Sequence, residues 1–512
     1  MVLRLFCKLF VNPIDKAGGQ EYIFSSRADR VLKTKRTVPQ EVCKTMKKNI
    51  DTVESRLCRR SSSDGTRENQ FHLVYAAYQL DCHNRISGRN RHLLFTKPDF
   101  LAPTQQKFVS LPANDKIMQL TAGLKQFIRA HLTDNTDKLL LAASRFPGID
   151  IRFAIDQIIA RRQIQHKLPF WYEQDELIYP SRLSTEQCSS EQTALYKQQL
   201  LRGNTVCDLT GGLGIDTFYF AQKAGNVIYV ERFPEYCTAA QHNFKVLNTS
   251  NIHIIHSDAC DIIQTLQADT FYLDPARRGN GNKRLFALTD CEPDILQLKP
   301  LLLERARRVI VKISPMADPE ETLRLLPETR EIHILAVRNE CKELLFILEG
   351  TTPSVQPVKI YAVNLGGTTA EPPFIFTPDE EKEAPLQVCQ TLQNYLYEPH
   401  AALLKSGAFK LIATRLNLFK LHRHSHLYTS ESLCQDFPGR IFTIEETYEF
   451  SGKLLKQLYR QIPKANLTTR NFPLTVAELR KRSNIKEGGD IYLFATTLYS
   501  GQRVLIRTHK TH

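Results

Sequence analysis

Four carboxylates, each placed where an apolar run gives out, carry the chemistry legible in this chain: Asp208, Glu231, Asp258 and Asp274. The first closes the run Val206-Cys-Asp208. Leu209-Thr-Gly-Gly-Leu-Gly214 follows, and the stretch from Ile215 to Lys223 then reads as a helix. An apolar strand, a glycine-rich turn and a helix N-terminus together make the nucleotide-binding corner of an open α/β sheet. Glycine lets the backbone run close against a ligand where a Cβ would clash. Counted from Gly212 the pattern is G-x-G-x-x-Thr, so Thr217 stands where a dinucleotide fingerprint has its third glycine. A carboxylate at Asp208 repels a pyrophosphate but suits a positively charged sulfonium with an amino-acid tail. The pattern therefore favours S-adenosylmethionine over NAD.

The other three carboxylates follow at the spacing of a wound sheet. Val227-Ile-Tyr-Val230 reads as a second strand ending on Glu231, 23 positions after Asp208, where a carboxylate can accept both ribose hydroxyl protons. Ile252 to Ile255 makes a third, followed by Ser257-Asp258, and Asp258 can accept from an adenine amino group. Thr270 to Leu273 makes a fourth and runs into Asp274-Pro-Ala-Arg-Arg278; Arg308 to Ile313 makes a fifth. Glu331 to Val337 and Glu343 to Leu348 lie close enough for a closing hairpin. Helical segments separate the first five strands, and that alternation predicts a parallel sheet.

Over roughly residues 165 to 350 the chain resembles the class I S-adenosylmethionine-dependent methyltransferases. The resemblance rests on Asp208-Leu-Thr-Gly-Gly-Leu-Gly214, Glu231, Asp258 and Asp274-Pro-Ala-Arg277. It implies an α/β fold with a seven-stranded Rossmann-like sheet whose last hairpin is antiparallel, and a cofactor over the carboxyl ends of the first strands. Cofactor contacts then fall on Asp208, Thr210, Gly211, Gly212, Gly214, Asp216, Glu231, Asp258 and Asp274, and the catalytic turn on Asp274, Pro275 and Arg277. The whole layout looks like a bacterial group with a helical N-terminal part, this core, a ferredoxin-like segment and a THUMP-like end. The matching stretches are Leu183-Ser-Thr-Glu-Gln-Cys-Ser-Ser-Glu191 and Tyr395-Leu-Tyr-Glu-Pro-His-Ala-Ala-Leu-Leu-Lys-Ser-Gly407. The resemblance places Ser184, Gln187, Ser189 and Ser190 near the cofactor; ordinary N-capping explains the same residues.

Methyl transfer from a sulfonium is an in-line displacement, so the protein's task is alignment and exclusion of water. A carboxylate at the tip of strand four can accept a hydrogen bond from a target N–H and hold the nitrogen lone pair on the methyl axis. Pro275 fixes the turn, and Arg277 and Arg278 can grip a phosphate or carboxylate. An Asp-Pro turn that merely ends a strand is the bland alternative. Amino-methylating enzymes often carry an aromatic ring just past this turn to stack a flipped base, and this chain has none there. No cysteine stands in the setting of a pyrimidine carbon-5 nucleophile. Lys312, in Lys312-Ile-Ser-Pro315, either orients substrate or caps the sheet.

At 512 residues with 42% hydrophobic content, the chain has length for three or four domains with packed cores. No apolar run approaches the roughly 20 residues of a membrane span, and the interrupted apolar start is no convincing signal peptide. The 12 cysteines show no C-x-x-C pair and no metal-ligand spacing; a reduced, cytoplasmic protein without a metal is expected. The net charge of +14 sits at the ends: 19 Lys/Arg against 10 Asp/Glu in residues 1–100, and 18 against 8 in 401–512. Residues 1–105 lack periodicity and read as a basic, disordered extension. Helices are expected over 118–200, the methyltransferase core over 201–350, a ferredoxin-like segment over 358–437 with a helix from Pro385 to Leu396, and the THUMP-like end over 438–512.

In the last part, Lys453, Lys456 and Arg460 share one helix face. That face is a phosphate-gripping stripe or a merely solvated one, and the THUMP resemblance tips the balance toward RNA. Lys464, Arg470, Arg480, Lys481 and Arg482 add to the basic balance. His422, His424 and His426 read as exposed strand or loop, and the lone Trp171 as core. Three functions remain open at this point: a methyltransferase acting on a tRNA or rRNA base, one acting on a small molecule or protein, and a binding protein that keeps the cofactor fold without turnover.

Overall fold

The computed structural model describes residues 120–277, 288–350, 356–366 and 371–511. The expected extension over 1–105, and Arg278, lie outside the described residues. No helix among those described is long and apolar enough to cross a membrane.

Three helices, Ala122–Ala130, Thr136–Leu141 and Ile151–Ile164, open the described chain and bury Leu124, Phe127, Ile128, Leu139, Ile155 and Ile158 against one another. Short helices Pro169–Tyr172, Arg182–Gln187 and Glu191–Gln199 lead into the core. Trp171 is fully buried and meets Phe218 edge-on at 5.7 Å. It therefore pins the N-terminal region onto the helix Ile215–Ala221 that follows the glycine turn. Asn243 repeats the tie by exchanging two 2.8 Å hydrogen bonds with the backbone of Ile178.

The core is a nine-stranded sheet. In chain order its strands are β1 (Thr205–Asp208), β2 (Asn226–Glu231), β3 (Ile252–His256) and β4 (Thr270–Leu273), then, past the two-residue pair β5 (Ala276–Arg277) and β6 (Cys291–Glu292), β7 (Arg308–Ile313), β8 (Thr329–Val337), β9 (Glu340–Leu348), β10 (Lys359–Leu365) and β11 (Phe374–Phe376). Their spatial order is β11-β10-β8-β9-β7-β4-β1-β2-β3, with β5 and β6 forming a separate ribbon. The five strands β1, β2, β3, β4 and β7 pair in parallel, and β9 runs antiparallel between β7 and β8. All four residues of β4 are buried, as a strand covered by helices on both faces requires. The order of strand addition reverses between β1 and β4, and ligands bind outside the carboxyl ends at such a switch point.

Two sequence expectations need correction. The sheet has nine strands and not seven, because β10 adds in parallel to β8 along seven residue pairs and β11 pairs with β10. Strands β10 and β11 thus extend the methyltransferase sheet and do not begin the ferredoxin-like segment; the alternating pattern announces a strand, but not which edge it joins. The helix expected from Pro385 to Leu396 is instead Pro378–Glu383, started by Pro378 and by a Thr377–Glu380 capping box.

The C-terminal part forms one seven-stranded sheet from β12 (Tyr395–Pro399), β13 (Phe419–His422), β14 (Ser425–Ser430), β15 (Gly439–Glu449), β16 (Asn466–Arg470), β17 (Ile491–Thr497) and β18 (Arg503–Lys510), ordered β13-β14-β12-β15-β18-β17-β16. Glu398 of β12, 2% exposed, takes Arg440 of β15 on Oε2 and Arg470 of β16 on Oε1. Arg470 is therefore paired within the protein, although its side chain is partly exposed. Lys453, Lys456 and Arg460 stand exposed on helix Gly452–Gln461, opposite its buried Leu455 and Leu458. His422 and His426 flank the β13–β14 turn that holds His424.

Candidate active site

The glycine turn is shaped by contacts that leave no room for side chains. A Cβ on Gly211 would lie 2.2 Å from the ring of Tyr229, and one on Gly214, at φ +83°, would lie 2.7 Å from Phe244. Gly212, at φ +54°, holds a left-handed conformation that side chains rarely adopt, and a Cβ there would meet the carbonyl oxygen of Thr210 at 3.7 Å. The hydroxyl of Tyr229 donates to the carbonyl of Gly212 at 2.6 Å and holds the turn from below.

Asp208 ends β1 and is 1% exposed. Its Oδ1 accepts from the amide of Thr210 at 3.0 Å, and its Oδ2 from the hydroxyl of Thr217 at 2.6 Å. Burial pushes its carboxyl up to about 7, against the lowering effect of those two hydrogen bonds. Glu231 ends β2. Its oxygens accept from the amides of Gly212 and Phe233, both at 2.9 Å, so it ties the glycine turn to the neighbouring strand. Each carboxylate oxygen keeps a second lone-pair site for a ligand hydroxyl. Asp258 caps helix Ala259–Ile262 through the amide of Cys260 at 2.8 Å. The amide of Asp274 donates to Thr210 Oγ1 at 2.7 Å, which fastens the end of β4 to the glycine turn.

These residues line one cavity of about 300 Å³. Asp208, Thr210, Gly211, Gly212, Gly214, Asp216, Glu231, Asp258 and Asp274 all reach it, with Ser184, Gln187 and Ser189 closing it from the N-terminal side. Ser190 sits beside this wall and caps helix Glu191–Gln199. Arg232, Phe233 and Tyr236 form the wall past Glu231, and Ala276, Glu292 and Pro293 the wall past Asp274. Pro275 fills the turn between β4 and β5, and the backbone of Arg277 pairs with Cys291.

The sequence points singly to Asp216 and Lys312, but not to Lys197 and Glu343 or to the buried charge network they form behind this cavity. Lys197, wholly buried, places Nζ 3.0 Å from Asp216, 3.1 Å from Glu343 and 2.6 Å from Ser189 Oγ. Asp216 Oδ2 also accepts from Ser189 at 2.7 Å and from the Tyr272 hydroxyl at 2.8 Å. Burial works to raise Asp216, yet the ammonium groups of Lys197 and Lys312 hold it below the usual carboxylate range. The Nζ of Lys312 lies 2.5 Å from Asp274 Oδ2. Burial opposes the charge on Lys312, but Asp274, Glu343 and Asp216 hold it above the ordinary lysine range. The available signal was a charge inside an apolar strand, as at Glu343 before Leu344 to Leu348 and at Lys312 within Val311-Lys-Ile313.

The geometry suits a cationic adenosyl compound: a turn that admits no Cβ at Gly211 and Gly214, and six carboxylates around one small volume. A family model described as a ferredoxin-like domain matches residues 395–438, and one described as THUMP domain-like matches 439–510. A solved structure of a Porphyromonas gingivalis W83 protein described as a methyltransferase is 39% identical; the match covers 76% of this chain and 98% of that one, with a TM-score of 0.69. An uncharacterized RNA methyltransferase of Halalkalibacterium halodurans is 29% identical over 171 residues, or 31% of this chain. That alignment spans only 37% of the relative's length. Ribosomal RNA small subunit methyltransferase J of Rhodopseudomonas palustris is 30% identical over 136 residues, 23% of this chain and 62% of that protein.

Proposed function

This chain belongs to the class I S-adenosylmethionine-dependent methyltransferase group with ferredoxin-like and THUMP-like C-terminal domains, and we propose from that premise that it methylates a base of tRNA or rRNA. The observation that carries the proposal is that Asp274, at the tip of β4, opens on the same cavity as the glycine turn and as Asp208, Glu231 and Asp258. A donor and an acceptor can meet there within one small volume.

When bound, S-adenosylmethionine supplies an electrophilic methyl group on a sulfonium sulfur. The chain's own residues hold it and present the acceptor. Glu231 takes the ribose hydroxyls on its remaining lone pairs, Asp258 takes the adenine amino group, and Asp208 with Asp216 supplies negative charge to the sulfonium end. Gly212 gives the backbone approach. Asp274 accepts a hydrogen bond from the target and fixes its lone pair on the line of transfer, which is the entropic part of the catalysis. The walls made by Leu183, Ser184 and Gln187 on one side and by Glu292 and Pro293 on the other narrow the access of water.

RNA as substrate is supported by the THUMP-like match, by the relatives named as RNA methyltransferases, and by the exposed cations of helix Gly452–Gln461. The test is transfer of tritium from labelled cofactor into total bacterial RNA, with Asp274→Ala beside the native chain. Label in RNA from the native chain alone is expected. Equal labelling by both would remove Asp274 from the mechanism, and label in neither would remove RNA as substrate.

A further inference from the structure

We propose that Lys312 is the positioning residue at the acceptor end of the cavity, pinning one oxygen of Asp274 so that the other faces the substrate. The inference rests on the methyltransferase reading above, because it gives Lys312 a task only if Asp274 meets the target.

Strands β4 and β7 are parallel neighbours, with Leu273 opposite Val311. The next residues along are Asp274 and Lys312, and their side chains meet with Nζ 2.5 Å from Oδ2. The lysine is 13% exposed and the aspartate 37%. The terminal torsion of a carboxylate is broad and roughly two-fold. A strand-end Asp with no partner would turn either oxygen, at any of several angles, toward an incoming group. An ammonium bonded to Oδ2 removes that freedom and leaves Oδ1 as the acceptor.

Lys312 is held in turn. It lies opposite Leu345 of β9, and Glu343, two residues along β9, projects from the same sheet face. Glu343 is 2% exposed and receives Lys197, which also binds Asp216 and Ser189. Lys197 thus pairs with Asp216 and Glu343 behind the cofactor wall, the negative charge of Asp216 and Glu343 acts on Lys312 through space, and Lys312 pairs directly with Asp274. Buried ions are unfavourable unless well paired, and apolar side chains would often pack there at least as stably. What such an arrangement provides is direction: the carboxylates behind Lys312 favour an ammonium at that place, and the ammonium in turn sets the acceptor.

The test uses the full chain with Lys312→Met, Lys312→Arg and Asp274→Ala, reading cofactor affinity by calorimetry and kcat for transfer into RNA. Lys312→Met is expected to lower kcat ~100-fold, the scale of a misplaced acceptor, with cofactor affinity unchanged. Lys312→Arg, which keeps a donor in place, is expected to recover most of that rate. Native kcat in Lys312→Met, or a parallel loss of affinity and rate that Lys312→Arg does not rescue, overturns the inference. Should Lys312→Met not fold, Lys312→Gln, whose shorter side chain does not reach Asp274, is read by the same two outcomes. If Asp274→Ala transfers methyl groups at the native rate, Asp274 has no part in the reaction and this inference fails, whereas absence of transfer into RNA by the native chain would overturn the parent reading instead.

Discussion

The hydroxyl of Thr217 donates to Oδ2 of Asp208 across 2.6 Å, inside a part of the protein where both residues are shut off from solvent. This one contact explains the departure from the dinucleotide pattern. The third glycine of that pattern serves close packing of helix on strand; here the same position carries a donor, because the strand before the turn ends in a buried carboxylate that needs one. Thr217→Val keeps the shape and removes the donor. It should destabilise the fold by about 1–3 kcal/mol, the scale for a buried acceptor left unsatisfied, measured by urea denaturation. A stability equal to the native chain would show that Asp208 does not depend on this bond.

Titration of Asp208 should be visible in ligand discrimination. Burial raises its carboxyl to about 7 in the folded state, from an ordinary value near 3.8. Its contribution to stability is therefore present at low pH and is lost as pH rises through about 7, where the buried group must ionise. A cationic ligand reverses the balance by favouring the ionised form. The affinity for S-adenosylmethionine relative to its neutral demethylated product should rise between about pH 6 and 8. Calorimetry at several pH values checks this, and the rise should vanish in Asp208→Asn.

Gly211→Ala places a methyl group 2.2 Å from the Tyr229 ring, which is itself fully buried and bonded to Gly212. Neither partner can retreat without moving β2. A loss of about 1–3 kcal/mol is expected from overpacking, with cofactor binding weakened as the turn shifts. Thermal melting and calorimetry on the same variant read both effects. Native behaviour in both would mean that the turn has slack that the packing around Tyr229 does not suggest.

Glu398 joins the segments matched by the two C-terminal family models, since Arg440 and Arg470 both lie beyond residue 438. Glu398→Ala leaves the two guanidinium groups without their acceptor. Breaking a fully buried pair costs about 3–5 kcal/mol, but Arg440 and Arg470 are 35% and 38% exposed and can turn to water. A smaller loss of about 1–2 kcal/mol is therefore expected, and hydrogen exchange should show loosened protection in β12, β15 and β16. Unchanged protection there would argue that the ladder hydrogen bonds alone hold the sheet.

If helix Gly452–Gln461 meets phosphates, the full chain with Lys453, Lys456 and Arg460 all changed to Gln should bind tRNA with a shallower salt dependence. Each lost contact lowers the slope of log K against log salt by roughly 0.7 to 0.9, so a change of about 2 is expected. An unaltered slope would identify the face as merely solvated.

Much of this protein was legible before folding was considered. Short apolar runs of two to four residues ending on Asp208, Glu231 and Asp274, with helical stretches between them, point to a parallel sheet with carboxylates at one rim, because the alternation of elements follows from local pattern. Trp171 could be assigned to the core from composition, and it is fully buried. Pairings between distant segments were not legible. Nothing in Lys359-Ile-Tyr-Ala-Val363 says that it adds to β8, and nothing in Lys197, a lysine on a short helix, says that it meets Glu343 146 residues later. Local pattern reports which face a residue turns, whereas partnership depends on the stacking of whole elements. The four rim carboxylates, and Lys312 as a candidate beside them, could be read from one dimension; which carboxylate each lysine meets became visible only when β4, β7 and β9 lay side by side.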